Sequence, residues 1–296
     1  MERKIVLGTR GSELALTQAG LVEEVIRARR MDVEIEKKII VTRGDRTKTI
    51  HARAGWKGLF TAEIERALIA GEVDVAVHSA KDLPSETNVR TAIAAVLSRA
   101  AVSDALISKH QGGLAGLPRG ATVATSSVRR KRQLSWQRGD LVIVDLRGNV
   151  PTRLRKLAEN DWDAIVLARA GIDRLGLAID FSVELLPSEV FLPAGGQGIV
   201  ALQIRHDDEQ TKAIVDLAND CETLLCLRAE REFLRLLTAD CNSPVGVLAE
   251  IENEKMKVRA QFFSDESPAP HEAEVEGARD QGERLAEELL KQIRAE

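Results

Sequence analysis

The chain has 296 residues, of which 44% are hydrophobic, and its formal net charge is −4 at pH 7. This length allows two or three domains, whose cores must rest on Leu, Ile, Val and Ala because only 3% of the residues are aromatic and none is Tyr. The slightly acidic balance disfavours a general nucleic-acid-binding protein, and no apolar run is long enough to span a membrane.

The first part of the chain alternates predicted strands with predicted helices. We predict strands at residues 4–7, 33–41, 73–77 and 92–97, and helices at 12–30 and 59–70. Residues 43–58 hold three glycines and many charges without periodicity, so we predict a loop there, which we interpret as a candidate lid.

The same alternation returns in the middle of the chain. Strands are predicted at 121–124, 141–146 and 164–167, and helices at 128–137 and 152–159. Strands that alternate with helices indicate parallel sheets, so the sequence predicts two α/β lobes. The glycine-rich segment 195–198 is interpreted as a hinge that returns the chain from the second lobe.

The C-terminal part has a different pattern. Strand-like runs at 245–251 and 256–263, a short one at 272–275 and a terminal amphipathic helix predict a small α+β domain. Cys221 and Cys226 lie on a predicted helix without a second ligand pair, so we interpret them as packing residues and predict no metal site. The N-terminus has no apolar signal region, which together with few cysteines predicts a cytoplasmic protein with reduced thiols.

The third cysteine, Cys241, has an unusual position. It follows an apolar helical run and precedes a turn that leads into the strand predicted at 245–251. A thiol on a loop between two elements is placed for chemistry rather than for packing.

Polar side chains follow four of the predicted strands. These are Thr9, Arg10 and Ser12; Lys81 and Asp82; Thr125, Ser126, Ser127, Arg129 and Arg130; and Arg147, Gly148 and Arg153. Ligands of open parallel sheets bind beyond the carboxyl ends of the strands. Helix N-termini, hydroxyl groups and Arg side chains bind carboxylates or phosphates, so the sequence predicts a ligand with several anionic groups.

Several of these residues have a second interpretation. Residues 129–132 could form a solvated helix face, and only two of the four could face one site. His78 ends a buried strand and is interpreted as a core histidine rather than a base. Asp82 is the one carboxylate among the cations, where it should stay ionised and could stabilise a developing positive charge. The alternative for Asp82 is an ion pair with Lys81 or an arginine.

Together these segments resemble the porphobilinogen deaminase, or hydroxymethylbilane synthase, family along almost the whole chain. The motifs that carry the resemblance are 8–12 (GTRGS), 41–45 (VTRGD), 57–60 (KGLF), 76–84 (AVHSAKDLP), 125–130 (TSSVRR), 146–150 (LRGNV), 192–194 (LPA), 196–198 (GQG) and Cys241. No single motif is specific, but their order along one chain is.

The resemblance implies a fold and an activity. The expected fold is α/β, with two periplasmic-binding-protein-like lobes, 1–97 with 199–216 and 98–198, flanking a cleft, and a C-terminal α+β domain at 217–296. The expected activity joins four porphobilinogen molecules, with loss of ammonia from each, into the linear tetrapyrrole hydroxymethylbilane of haem biosynthesis. A dipyrromethane cofactor would be attached to Cys241 through a thioether and would prime the growing chain. The family expectation is a cytoplasmic monomer without nucleic-acid or membrane partners.

The resemblance also implies roles for individual residues. The catalytic residues would be Asp82, which would stabilise the cation formed on loss of ammonia, and Arg10, Arg147 and Arg153. The substrate would be bound by Arg10, Ser12, Lys57, Phe60, Arg147, Arg153, Arg174 and Gln197. The cofactor would be held by Cys241, Lys81, Asp82, Thr125, Ser126, Ser127, Arg129, Arg130, Arg147 and Gly148.

Three positions depart from the family pattern. Ala239 and Asp240 stand where the family usually has two glycines, and a carboxylate beside Cys241 should disfavour the thiolate and slow cofactor loading. Trp56 stands where a small residue is common, and Cys226 where we would expect an arginine.

Two other functions compete with this one. A two-lobed binding module for a small polyanion would share the lobes, but it would not explain Cys241 or the third domain. An RNA-binding protein that uses the helix at 128–138 would lack a basic total charge and aromatic stacking residues.

Overall fold

A computed structural model describes residues 3–46, 61–239 and 243–295. In chain order its elements are β1 (Arg3–Thr9), α1 (Glu13–Arg29), β2 (Val33–Ile39), α2 (Arg43–Arg46), α3 (Ala62–Ile69), β3 (Val75–Ser79), β4 (Thr91–Val96), β5 (Asp104–Ser108), β6 (Thr122–Ala124), α4 (Val128–Gln137), β7 (Val142–Val144), α5 (Val150–Glu159), β8 (Ala164–Ala168), α6 (Arg169–Leu175), β9 (Ser182–Leu185), β10 (Val200–Arg205), α7 (Glu209–Val215), α8 (Cys221–Leu236), β11 (Val245–Glu252), β12 (Lys255–Phe262), β13 (His271–Ala278) and α9 (Gly282–Ala295). Short 3-10 turns span Ala80–Asp82 and Asp216–Ala218.

The predicted two α/β lobes are present and share one strand order. The first sheet runs β2-β1-β3-β10-β4 and the second runs β7-β6-β8-β5-β9. The fourth strand is β10 in the first sheet and β5 in the second. In each case it is the strand that the chain enters when it arrives from the other lobe. The chain therefore crosses twice between the lobes, before β5 and before β10.

The prediction of purely parallel sheets was wrong at these two strands. β10 is antiparallel to both β3 and β4, and β5 is antiparallel to both β8 and β9. The reason lies in the crossings. The chain leaves one sheet at the edge where the parallel strands end and enters the other sheet at the matching edge, so the entering strand must run in the opposite direction.

The core of the first lobe forms between the sheet and α1. Ile5 and Leu7 of β1 pack with Val22 and Ile26 of α1, which lie one helical turn apart. Helix α1 begins where predicted, because the Ser12 hydroxyl oxygen accepts a hydrogen bond from the Ala15 amide at 3.3 Å. This contact fixes the entry of α1 directly beyond the end of β1.

The C-terminal domain is an antiparallel sheet, β11-β12-β13, packed against α8 and α9. Asn253 and Glu254 both have positive φ, 50° and 65°, which suits the tight turn between β11 and β12. β13 is longer than the strand predicted at 272–275. The packing interpretation holds for Cys226, which is buried, but was wrong for Cys221, which is exposed as the first residue of α8.

The segment predicted as a loop at 43–58 starts with a short helix, α2, so that prediction was wrong for its first residues. The rest of the candidate lid, 47–60, lies outside the described residues. None of the helices in the described ranges is long and apolar enough to cross a membrane.

Candidate functional site

The candidate site is the cleft between the lobes, where the parallel strands of both sheets end. From the first lobe, β1 and β3 lead into Arg10 and into the 3-10 turn Ala80–Asp82. From the second lobe, β6 and β7 lead into Thr125 and Arg147. The fold thus brings the four predicted groups of polar residues to facing edges of two sheets.

Lys81 and Asp82 lie on the 3-10 turn after β3. The turn is fixed to the hinge, because the Ala80 amide donates to the Ile199 carbonyl at 3.0 Å. The Lys81 ammonium donates to the side-chain oxygen of Gln197 at 3.3 Å. Burial, followed by the positive charge of Arg130, lowers the pKa of Lys81 to about 8.

The Asp82 side chain is half-buried beside Lys81. Among the residues that the structure describes, none donates a hydrogen bond to its carboxylate or forms an ion pair with it within 4 Å. The ion-pair interpretation of Asp82 therefore finds no partner in the described part of the chain. The carboxylate remains able to accept N–H groups from a ligand.

The N-terminus of α4 supplies hydroxyl groups from the second lobe. Ser127 caps the helix, since its hydroxyl oxygen accepts from the Arg130 amide at 3.4 Å. The Thr125 hydroxyl oxygen accepts from the Ser127 amide at 3.3 Å. The Ser126 hydroxyl donates to the Leu146 carbonyl at 2.5 Å, which ties the end of β6 to the segment after β7.

Arg129 and Arg130 are both buried and converge on Asp104, the first residue of β5. Arg130 forms a two-point contact with Asp104, at 3.0 Å from Nε and 2.7 Å from Nη2, and Arg129 Nη1 reaches the same carboxylate at 2.9 Å. Burial alone would raise the pKa of Asp104, but the two guanidinium groups outweigh it and hold that pKa well below its usual range. The interpretation of these arginines as a solvated helix face was wrong.

The segment after β7 places Arg153 close to the same cations. Gly148 has φ = +121°, and a Cβ there would come within 2.7 Å of the Thr152 side chain, so the turn requires glycine. Arg153 Nε donates to the Gly148 carbonyl at 2.7 Å. Burial and then the charge of Arg130 lower the pKa of Arg153 to about 10, while the charge of Asp82 acts in the opposite direction. Arg153 of the second lobe thus shares the cleft with Asp82 of the first.

Two further site residues belong to the hinge region. Arg174 Nη2 donates to the Gly198 carbonyl at 2.7 Å, and burial lowers the pKa of Arg174. The Gln197 side chain is buried and lies between Lys81 and Asp104. Arg174 therefore contacts the hinge backbone, and Gln197 contacts one residue of each lobe.

His78 is the core histidine that its position predicts. It is buried, and Nε2 lies 3.1 Å from the side-chain oxygen of Gln203. Burial lowers its pKa to about 4, and the nearby charges of Arg10 and Arg231 act in the same direction. The ring is therefore neutral at physiological pH.

Sequence reasoning missed three charged residues that the fold buries or half-buries: Asp104, which accepts from Arg129 and Arg130, and Glu230 and Arg231 on α8. Arg231 Nη2 donates to the Ser85 carbonyl at 3.0 Å, and burial lowers the pKa of Arg231 to about 10. Glu230 is fully buried and accepts from Arg99, at 2.6 Å. An acid at helical spacing between buried positions, as Glu230 stands between Cys226 and Phe233, is a signal that could have found it.

Cys241, Lys57 and Phe60 lie outside the described residues, as do Trp56 and Asp240. The predictions for these five positions stay predictions.

The family models and the curated relatives agree on one family. The model of the porphobilinogen deaminase dipyrromethane cofactor binding domain matches residues 5–213, and the model of the C-terminal domain of porphobilinogen deaminase matches residues 224–291. The porphobilinogen deaminase of Syntrophomonas wolfei is 42% identical over 98% of this chain and 96% of its own length. That of Chlorobium phaeobacteroides is 41% identical over 99% of this chain and 96% of its own.

Solved structures of binding proteins are also similar at low identity. The methionine-binding protein MetQ is 15% identical, covers 77% of this chain and 96% of its own, and has a TM-score of 0.47. A probable amino-acid transporter binding protein from Bacillus subtilis is 12% identical over 74% of this chain and 91% of its own, with a TM-score of 0.42. The family models and the curated relatives establish that this chain belongs to the porphobilinogen deaminase family.

Proposed function

We propose that this chain is the transferase that joins four porphobilinogen molecules, with loss of ammonia from each, into hydroxymethylbilane on a covalent dipyrromethane primer. The observation that carries the proposal is Asp82, a carboxylate on the 3-10 turn after β3 that has no ion-pair partner among the described residues and whose charge acts on both Lys81 and Arg153. Family membership supports the same activity.

The donor set of the cleft fits the cofactor. Each pyrrole ring of a dipyrromethane bears an acetate and a propionate, so the group is a polyanion. Four half-buried cations have a pKa lowered chiefly by burial: Lys81, Arg153, Arg174 and Arg231. Among the described residues, no carboxylate lies within ion-pair distance of these four. Buried charges are normally paired, so this cleft is suited to a ligand that brings its own carboxylates.

The residues that would hold the cofactor lie on both lobes. Lys81 and Asp82 would contact it from the first lobe. Thr125, Ser126, Ser127, Arg129, Arg130, Arg147 and Gly148 would hold it from the second. Cys241 would anchor it covalently. When bound, the cofactor supplies the pyrrole carbon to which the first substrate unit is joined.

Arg129 and Arg130 would act toward the cofactor largely through their charge. Their hydrogen bonds to Asp104 and to backbone carbonyls fix both guanidinium groups in place. The positive charge of Arg130 also lowers the pKa of both Lys81 and Arg153. Preorganised charges of this kind need no rearrangement when an anionic ligand arrives.

Asp82 would act on the substrate. Loss of ammonia from porphobilinogen leaves a cation on its pyrrole ring, and an ionised carboxylate close to the ring stabilises that charge as it develops. The same carboxylate can accept the pyrrole N–H. Asp82 would thus stabilise the transition state more than the neutral ring.

The substrate's carboxylates require cations at the opposite side of the ring. We assign this binding to Arg10, Arg147, Arg153 and Arg174, because a guanidinium forms two parallel hydrogen bonds with a carboxylate. Ser12, Lys57 and Phe60 would complete the substrate site, and Gln197, whose amide is engaged by Lys81 and Asp104, would support it from the hinge.

We also propose the division of the chain into domains at 1–97 with 199–216, 98–198 and 217–296, and that the protein acts as a monomer in the cytoplasm. Sheet membership supports the division, since β10 joins the first sheet although it follows the second lobe in sequence. Sedimentation at micromolar concentration would test the monomer.

The proposed activity is tested by incubating the protein with porphobilinogen and measuring ammonia release and tetrapyrrole formation. Asp82→Asn should keep the circular dichroism spectrum and melting temperature but lose nearly all turnover. Asp32→Asn is a matched control, because Asp32 pairs with Arg30 on the exposed surface. If the unmodified protein binds porphobilinogen without releasing ammonia, the polyanion-binding module replaces the enzyme.

A further inference from the structure

The Gln197 side chain joins residues of both lobes at the hinge. Its oxygen accepts from the Lys81 ammonium at 3.3 Å. Its nitrogen donates to the Asp104 carboxylate at 2.8 Å and to the Val102 carbonyl at 2.7 Å. Lys81 belongs to the first lobe, and Asp104 begins β5 of the second.

The orientation of this amide is fixed by chemistry. An ionised carboxylate and a backbone carbonyl can only accept hydrogen bonds, so the NH₂ group must face Asp104 and Val102. The amide oxygen is then the only end left for Lys81. Because Arg129 and Arg130 immobilise Asp104, the position of this oxygen is set by the core of the second lobe.

The backbone around Gln197 is equally constrained. Its carbonyl accepts from Arg99 Nε at 3.0 Å, and its amide donates to the Ala194 carbonyl at 2.9 Å. Gly196 has φ = +75°, and a Cβ there would stand 3.0 Å from backbone atoms of Ala80 and Lys81. The hinge therefore packs against Lys81 through the Gly196 backbone as well as through the Gln197 amide.

Opposing groups act on the charge state of Lys81 in this position. Burial and the positive charges of Arg130 and Arg129 favour the neutral amine, whereas Asp82 and Asp104 favour the ammonium ion. An acceptor bonded to Nζ–H stabilises the charged form. The Gln197 oxygen is such an acceptor, and it uses one of the three donors of the ammonium group.

We propose that Gln197 is a positioning residue that holds the Lys81 ammonium in place from the hinge and keeps it charged for the carboxylates of the bound tetrapyrrole chain. Since both ends of its amide are engaged, Gln197 acts through Lys81. The proposal rests on the proposed function in one respect: the ligand of Lys81 is a carboxylate of the cofactor or growing product.

The test measures the titration of Lys81 directly, without catalysis. The full-length chain in a Cys241→Ser background is labelled with trace acetic anhydride over pH 6–11, and the Lys81 peptide is quantified by mass spectrometry. Gln197→Met keeps the side-chain length but replaces the amide oxygen by a thioether, which is only a weak acceptor. Gln197→Asn keeps an amide that is too short to reach Lys81. In both variants the labelling midpoint of Lys81 should fall by about one pH unit, because a hydrogen bond to the charged form is lost.

Gln203→Met is the matched control. Gln203 is also a buried glutamine with several hydrogen bonds, to His78, Glu65 and Thr91, but it does not contact Lys81. Its substitution should leave the Lys81 midpoint unchanged.

A second readout connects the titration to the ligand. In the Cys241-containing chain, the incorporation of porphobilinogen units is measured by intact mass after incubation over the same pH range. As the pH rises, incorporation should begin to decline at a lower pH in Gln197→Met than in the unmodified protein. This decline at alkaline pH reports the deprotonation of Lys81. Failure of the proposed function would instead abolish incorporation at every pH in the unmodified protein.

Three outcomes would overturn the proposal. The first is a Lys81 midpoint identical to the unmodified protein in both folded Gln197 variants. The second is an equal shift in Gln203→Met, which would indicate general loosening. The third is failure of both Gln197 variants to fold, which would make Gln197 a structural support of the hinge and not a positioning residue for Lys81.

Discussion

Replacing Glu230 with Gln tests what holds the C-terminal domain to the two lobes. Glu230 on α8 is fully buried and accepts four hydrogen bonds: two from Arg99, at 2.6 and 3.3 Å, one from the Gly196 amide at 2.6 Å and one from the Ala249 amide at 2.8 Å. Arg99 belongs to the first crossing, Gly196 to the hinge and Ala249 to β11. One carboxylate therefore connects both crossings to the C-terminal sheet.

The magnitude follows from this geometry. Glu230→Gln removes the charge and turns an NH₂ group toward at least one N–H donor, leaving the Arg99 charge buried without its counterion. Breaking a buried ion pair on one side typically costs about 3–5 kcal/mol. With a urea m-value of about 3 kcal/mol/M or more for a chain of this size, the midpoint should fall by roughly 1 M.

The assay is urea unfolding at pH 7, followed by circular dichroism and by Trp fluorescence. Glu276→Gln is the control, because Glu276 pairs with Lys255 on the exposed face of the C-terminal sheet and should leave the midpoint unchanged. The double variant Arg99→Met/Glu230→Met should recover only part of the loss, since the Gly196 and Ala249 amides stay without an acceptor. A Glu230→Gln midpoint equal to that of Glu276→Gln would refute the reasoning.

Three further predictions follow from single contacts. The contribution of His78 to the free energy of unfolding should fall by about 3 kcal/mol as the pH decreases from above 6.5 to about 4, because the unfolded chain protonates His78 while the buried ring stays neutral. In urea unfolding measured across this pH range, His78→Gln should make the free energy of unfolding depend less on pH. Gly196→Ala should destabilise the fold by about 1–3 kcal/mol, because its positive φ and the nearby Ala80 backbone both disfavour a side chain; unchanged thermal unfolding would contradict this. Ser127→Ala should cost about 1 kcal/mol by removing the α4 cap at Arg130, and Ser127→Asp should restore it in the same assay.

The sequence correctly predicted which polar residues follow the strands that end at the cleft. Arg10, Asp82, Thr125 and Arg147 each come directly after or within a few residues of a buried apolar run, and parallel strands bring their carboxyl ends to one edge of a sheet. That rule located four groups of residues without any knowledge of contacts. The glycine-rich segment 195–198 was interpreted as a hinge from its composition, and its glycines adopt positive φ at 196 and 198.

The rest depends on contacts between segments far apart in the chain. The sequence gives no sign that Asp104 receives Arg129 and Arg130, because 25 or more residues separate them and the carboxylate begins a strand, β5, that was not predicted. The direction of β5 and β10 depends on where the chain crosses between lobes, which local periodicity does not encode. Gln197 was assigned to the substrate from its motif, whereas its hydrogen bonds to Lys81 and Asp104 depend on both lobes being folded.

The most direct test of the proposed activity is the intact mass of the purified protein, measured beside a Cys241→Ser variant. The proposed function predicts an excess equal to two deaminated porphobilinogen units on the unmodified protein and none on the variant. If the unmodified protein carries no excess, even after incubation with porphobilinogen, then Cys241 anchors no primer and the proposed mechanism is contradicted.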